Sequence, residues 1–201
     1  MKIKSAVFKV SAPDFPSCPA SALPEFAFIG RSNVGKSSLI NLLTERRDLA
    51  NVSDTPGKTK LINFFLVNNA WHLVDLPGYG YAHVSKTEHE GFQRVIVDYL
   101  ERRDHIACVF VLIDSRLPPQ AIDREFVDWL GGGPAPFALV FTKADKQSAG
   151  ATQKNIDLFL QSMTWRRAAP RKIFTTSATT KSGRTELLNF IGETLTGPAR
   201  S

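Results

Sequence analysis

The chain has 201 residues, 43% apolar and 22% charged, with two cysteines and a formal net charge of +6. These values fit one α/β domain of ordinary size. They exclude a disordered polar chain and a disulfide framework, and the longest apolar run, Ile106-Ala-Cys-Val-Phe-Val-Leu-Ile113, is too short to span a bilayer.

Met1-Lys-Ile-Lys-Ser-Ala-Val-Phe8 contains no hydrophobic signal region, which predicts a cytoplasmic protein. Pro13, Pro16, Pro19 and Pro24 interrupt the first stretch, so residues 1–24 read as an extended lead-in packed on the domain. A strand over 26–29 then runs into Gly30-Arg-Ser-Asn-Val-Gly-Lys-Ser37, a full G-x-x-x-x-G-K-S match, and a helix over 37–44 follows. Strand, loop and helix in that order make a phosphate cradle. Glycines let the backbone N–H groups turn inward, and the helix N-terminus adds positive partial charge. Gly30, Arg31, Ser32, Asn33, Val34, Gly35, Lys36 and Ser37 are therefore candidate nucleotide-binding residues. Lys36 can reach the β- and γ-phosphates, and the Ser37 hydroxyl can ligate Mg²⁺.

Asp54-Thr-Pro-Gly-Lys-Thr59 is polar and turn-rich, placed between helix and strand as a switch segment would be. Strands over 61–67 and 71–74 are separated only by Asn68-Asn-Ala70, which predicts an antiparallel hairpin. Asp75-Leu-Pro-Gly78 closes that hairpin. Asp75 at a strand end can hold Mg²⁺ through water, and the Gly78 N–H can meet the γ-phosphate, so Asp75, Leu76, Pro77 and Gly78 are candidate nucleotide-binding residues. A helix over 88–103 places Phe92, Val95, Ile96, Tyr99 and Leu100 on one core stripe. The strand 107–113 carries Cys108 as plain core. A helix over 119–130 leads to a strand over 137–141. Thr142-Lys-Ala-Asp145 follows that strand. A carboxylate at Asp145 can accept from guanine N1–H and the exocyclic amine, a donor pair that adenine lacks, so this loop selects GTP over ATP. Lys143 would lie along the base. A helix over 152–163 puts Ile156, Phe159, Leu160 and Met163 inward. A strand over 172–176 ends at Thr176-Ser177-Ala178, where the Ala178 N–H would meet guanine O6. The last helix covers 184–195, and 196–201 reads as a loose tail. The fold expected is a mixed six-stranded α/β sheet with helices on both faces and residues 25–195 as one GTP-binding domain.

In this order, the motifs resemble those of a Ras-like P-loop GTPase. The chain is most similar to the EngB (YsxC) family, within the TrmE-Era-EngA-EngB-septin-like group. The resemblance rests on Gly30–Asn41, Thr55-Pro-Gly-Lys-Thr59, Asp75-Leu-Pro-Gly-Tyr-Gly-Tyr-Ala82, Asp114-Ser-Arg116 with Pro118 and Asp123, and Thr142–Asp145. It spans about residues 5–195. By this resemblance Gly57, Lys58 and Thr59 join the nucleotide-binding set, and Thr59 is the second hydroxyl ligand of Mg²⁺, with Thr55 the competing choice. The chain ends soon after its last helix, as expected of the minimal single-domain member. Thr142 stands where many GTPases carry Asn, which implies weaker bracing between loops. Leu117 stands where the family is expected to carry His, and no function attaches to it.

The resemblance also implies a mechanism and partners. Tyr79 occupies the position where many GTPases use Gln to orient water, so slow intrinsic hydrolysis with outside stimulation is expected. Lys36, Thr59, Gly78 and Asn33 form the catalytic set. Asn33 matches a position that holds K⁺ beside the phosphates in related GTPases. His83 near water, or a group supplied by the ribosome, are the alternatives. The implied role is a GTP/GDP switch in assembly of the large ribosomal subunit, as a monomer, with no membrane or DNA partner. Cell division and septation would then depend on it indirectly; a division-associated adaptor with little hydrolysis is the other reading. Charge agrees with an RNA partner. Residues 1–142 hold 15 Lys+Arg against 15 Asp+Glu, whereas 143–201 hold 10 against 4. Arg166, Arg167, Arg171, Lys172, Lys181 and Arg184 are the expected basic face.

Overall fold

The computed structural model describes residues 1–46, 48–50, 61–80, 86–165 and 168–197, with only the backbone of 86–93. The strands are β1 (Ala6–Ala12), β2 (Glu25–Gly30), β3 (Ile62–Val67), β4 (Trp71–Asp75), β5 (Ile106–Asp114), β6 (Phe137–Thr142) and β7 (Ile173–Thr175). The helices are α1 (Lys36–Thr44), α2 (Lys86–Arg102), α3 (Ala121–Leu130), α4 (Ala149–Gln161) and α5 (Arg184–Thr196). One sheet runs in the order β1-β3-β4-β2-β5-β6-β7.

The sheet has seven strands, not six. The extra one is β1, which pairs antiparallel with β3 from Ala6↔Val67 to Ala12↔Ile62. Its signal was hidden because a register shift between Phe8 and Val10 breaks the period of two, leaving Val7 and Phe8 exposed side by side. Asn68 holds its leading end: Oδ1 accepts from the Lys4 and Ser5 N–H groups at 2.6 and 3.1 Å. Asn68 and Asn69 both have positive φ, and they close the antiparallel β3–β4 hairpin as expected.

Strands β4, β2, β5, β6 and β7 are mutually parallel; β2, β4, β5 and β6 are buried because both faces are covered, while the edge strand β7 buries only Phe174. One face buries Leu39, Ile40 and Leu43 of α1 with Leu187, Leu188 and Ile191 of α5. The other buries Ile96, Tyr99 and Leu100 of α2, Val127 and Leu130 of α3, and Ile156 and Phe159 of α4. Phe92 of the expected stripe lies outside the described side chains. The chain leaves β2 towards β3 and β4, then crosses back to β5 on the other side. The crevice beyond the carboxyl end of β2 is therefore the topological switch point, where ligands bind open α/β sheets.

Candidate functional site: a nucleotide pocket at the strand ends

Four loops leave the carboxyl ends of β2, β4, β6 and β7 on the same edge of the sheet. The loop after β2 starts at Gly30, packed hard on β5. A Cβ there would lie 2.8 Å from the Leu112 carbonyl oxygen and 2.9 Å from Val34 Cγ1. The loop then turns through Asn33 and Gly35, with φ of 61° and 101°. Lys36 opens α1, and its Nζ donates to Asp75 Oδ1 at the end of β4. Asp75 is 3% exposed and pairs in register with Phe28 of β2, so the sheet itself sets the ammonium and the carboxylate side by side. Ser37 follows on the first turn of α1. The Leu76 N–H donates to the Phe28 carbonyl at 3.0 Å, which fixes the start of the turn through Pro77 and Gly78, both buried.

The donor set fits Mg²⁺ and a triphosphate. A hydroxyl and a carboxylate suit a hard divalent cation, and an ammonium suits phosphate oxygens. Ser32 Oγ is a buried hydroxyl without a hydrogen-bond partner among the described residues, inside the same loop.

The β6 and β7 loops are tied together. The Ala144 N–H donates to the Thr176 carbonyl at 3.1 Å, and the Thr176 N–H to the Phe141 carbonyl at 2.7 Å. Ser177 Oγ donates to Asp145 Oδ1 at 2.6 Å, and Lys146 lies 3.0 Å from Oδ2. Those two hydrogen bonds hold the Asp145 carboxyl down to about 2, so it is an anion, ready to accept from a base. The Ala178 N–H has no acceptor among the described residues, and Ala178 is exposed. Lys143 bridges to the phosphate loop: its Nζ donates to the Asn33 carbonyl at 2.5 Å and to Asp114 Oδ2 at 3.0 Å. Burial would raise the Asp114 carboxyl, but hydrogen bonds from Arg116 and Lys143 override it and hold it at about 2.

A family profile described as 50S ribosome-binding GTPase matches residues 25–143. A protein from Christiangramia forsetii named probable GTP-binding protein EngB is 54% identical over 191 residues, covering 95% of this chain and 96% of that protein. Its namesake from Bacteroides fragilis is 53% identical over 193 residues, covering 95% of each. A crystal structure of a probable GTP-binding protein engB superposes with a TM-score of 0.69 at 25% identity, covering 85% of this chain and 98% of that one. The chain belongs to the EngB family of GTP-binding proteins. EngB membership makes this a P-loop GTPase and its nucleotides GTP and GDP.

Against that family frame, the structure brings together Gly30 to Ser37, Asp75 to Gly78, Thr142 to Asp145 and Thr176 to Ala178. Thr55, Gly57, Lys58, Thr59 and His83 lie outside the described residues, as do Arg166 and Arg167. Thr142 Oγ1 lies 2.6 Å from the Val34 carbonyl, closer than its 3.2 Å to that of Ile113. A short hydroxyl thus ties the β6 loop to the phosphate loop. Among the described residues, the cations expected to form the basic face do not share one face. Arg184 donates to the Leu42 and Leu43 carbonyls at 2.9 and 3.1 Å, satisfying the carboxyl end of α1. Arg171 and Lys172 precede β7, at the sheet end opposite Lys181, which follows it.

Sequence reasoning gave no role to Asp123 or to Arg31 as a partner of a carboxylate. The signal available was Asp123 itself, an acidic residue on the inward side of α3, where it is 1% exposed. Among the described residues no helix is long and apolar enough to cross a membrane.

Proposed function

We propose that this chain is a GTP-driven switch that assists assembly of the large ribosomal subunit. The observation that carries it is the shared strand-end edge: Lys36 and Asp75 in contact beside Gly78, with Asp145 held as an anion across the same crevice. That arrangement reads guanine at one end and the terminal phosphate at the other. The partner comes from the family description, a GTPase that binds the 50S ribosome.

In this reading Lys36 would hold phosphate oxygens, while Ser37, Thr59 and Asp75 would hold Mg²⁺. The Gly78 N–H meets the γ-phosphate and Asp145 holds guanine. Mg²⁺ supplies charge neutralisation on the phosphates when bound. Tyr79 is 6% exposed, and burial together with Asp123 pushes its phenol well up, so it stays neutral. A buried, neutral phenol committed to Asp123 does not orient water, which supports slow intrinsic hydrolysis. Asn33 is exposed on the loop, and K⁺ held beside the phosphates by Asn33 is part of the proposal; stimulation by K⁺ over Na⁺ is the expected sign. Cell division would feel the loss of this protein through ribosome supply.

Co-sedimentation with purified subunits tests the reading. Pelleting with the large subunit with a non-hydrolysable GTP analogue, but not with GDP, is expected. Tight GTP binding without pelleting in either state would overturn the ribosomal part and favour the division-linked adaptor.

A further inference from the structure

We propose that Asp123 is a positioning residue: from α3 it clamps Arg31 of the phosphate loop to Tyr79 and so holds the adjacent Gly78 N–H ready for the γ-phosphate. This rests on the reading that Gly78 senses that phosphate.

The Asp123 carboxylate is almost fully buried, which is costly unless every lone pair is used. Arg31 Nε lies 2.9 and 3.1 Å from its two oxygens, and the Tyr79 hydroxyl donates to Oδ1 at 2.9 Å. Both partners come from nucleotide loops, and neither comes from the scaffold under α3. An apolar side chain would fill the same space without that desolvation cost, so packing alone does not call for a carboxylate here. What the carboxylate adds is a tie between two loops.

Three further contacts tighten the tie, two of them on the same helix. The Tyr79 ring stacks on Phe126, with centroids 4.2 Å apart and planes 16° from parallel. Arg31 and Tyr79 form an isolated parallel bridge, backbone to backbone. The next residue, Gly80, has φ of 81°, and a Cβ there would come to 2.5 Å from Ile122 Cδ1. Ile122, Asp123 and Phe126 thus grip residues 79 and 80, directly after Gly78. A loop already held in place loses less conformational freedom when it contacts its ligand. GTP gains from that saving. GDP has no γ-phosphate for Gly78 to meet and gains nothing.

The test is binding of GDP and of a non-hydrolysable GTP analogue, by calorimetry on the full chain, with single-turnover hydrolysis alongside. Tyr79→Phe keeps the ring on Phe126 and removes only the hydroxyl. Asp123→Asn removes the charge with little change in volume. Both are expected to lower analogue affinity and hydrolysis about tenfold, the scale of one hydrogen bond to a charged group, with GDP affinity within about twofold of wild type. A purely structural role would lower thermal stability and move both nucleotides together. An unchanged analogue-to-GDP ratio in both variants would overturn the clamp. Gly78→Pro, which removes the backbone N–H that an alanine would keep, separates the two ideas. If it shifts the ratio while Tyr79→Phe and Asp123→Asn do not, only the clamp falls. If it leaves the ratio unchanged, γ-phosphate sensing by Gly78 falls, and the clamp falls with it.

Discussion

In the proposed function Asp145 carries the choice of base with one functional group, and its neighbours are arranged to keep that group charged. The Ser177 hydroxyl and the Lys146 ammonium satisfy one lone pair on each oxygen and leave the outer ones for a ligand. Asp145→Asn replaces an acceptor by a donor on one side. GTP affinity should fall about a hundredfold and xanthosine triphosphate should become the better ligand, because its 2-oxo group accepts what the asparagine now donates. Competition binding decides it; retained GTP selectivity would mean that another residue reads the base. Asp114 yields a pH prediction. Its folded value of about 2 lies below the ordinary 3.8, so the carboxylate contributes stability that is present above about pH 4 and lost as pH falls towards 2. Asp114→Asn should therefore be less stable than wild type at pH 6, with the gap narrowing by pH 2. Urea unfolding at the two pH values measures it, and a gap independent of pH would show that the lost stability is packing.

The elements were legible wherever a run was apolar on both faces or followed one helical stripe. β2, β5 and β6 announced themselves by uninterrupted apolar runs, and α4 by Ile156 and Phe159 at helical spacing. The candidate phosphate and guanine loops were equally visible as motifs, because the chemistry proposed for them needs particular residues at particular spacings. β1 was not visible, since its pattern exists only once β3 supplies a partner and a bulge absorbs Lys9. Nor were Arg31, Tyr79 and Asp123, which meet across 92 residues of chain. The same holds at the opposite end of the sheet. Glu25, fully buried at the start of β2, accepts from Arg103 Nη2 at 2.6 Å and from the Tyr99 hydroxyl at 2.7 Å. Burial pushes His72 down, so this imidazole, 4.0 Å away, is neutral at pH 7 and leaves Arg103 as the cation facing Glu25. The far end of α2 is thereby fastened to the foot of the strand that carries the phosphate loop. Arg103→Met strands a buried carboxylate and should cost about 3–5 kcal/mol in denaturant unfolding. A loss below about 1 kcal/mol would show that Tyr99 alone suffices.

For the molecule as a whole, charge and nucleotide state should be read at the same edge. All of the net +6 lies in residues 143–201, yet among the described residues the exposed Lys181 and the exposed pair Arg171 and Lys172 lie at opposite ends of the sheet. Lys181 sits three residues past Ala178, in the loop expected to meet guanine, while Arg171 and Lys172 sit before β7 at the other end. Contacts to phosphate backbone weaken linearly on a log–log plot against salt, with a slope set by the number of phosphates neutralised. If a ribosomal partner docks on the nucleotide edge, Lys181→Asn should weaken only the binding seen with the GTP analogue. It should also reduce the magnitude of the salt slope by about one. Asparagine tolerates the left-handed φ of 62° at this position, so the comparison is one of charge and not of backbone strain. The pair Arg171→Gln and Lys172→Gln should lower binding equally in both nucleotide states, because that end does not change with the γ-phosphate. Sedimentation with large subunits at several salt concentrations separates the cases. A nucleotide-dependent loss from the Arg171 and Lys172 pair, with none from Lys181, would place the docking surface at the foot of the sheet and require the nucleotide signal to travel through it.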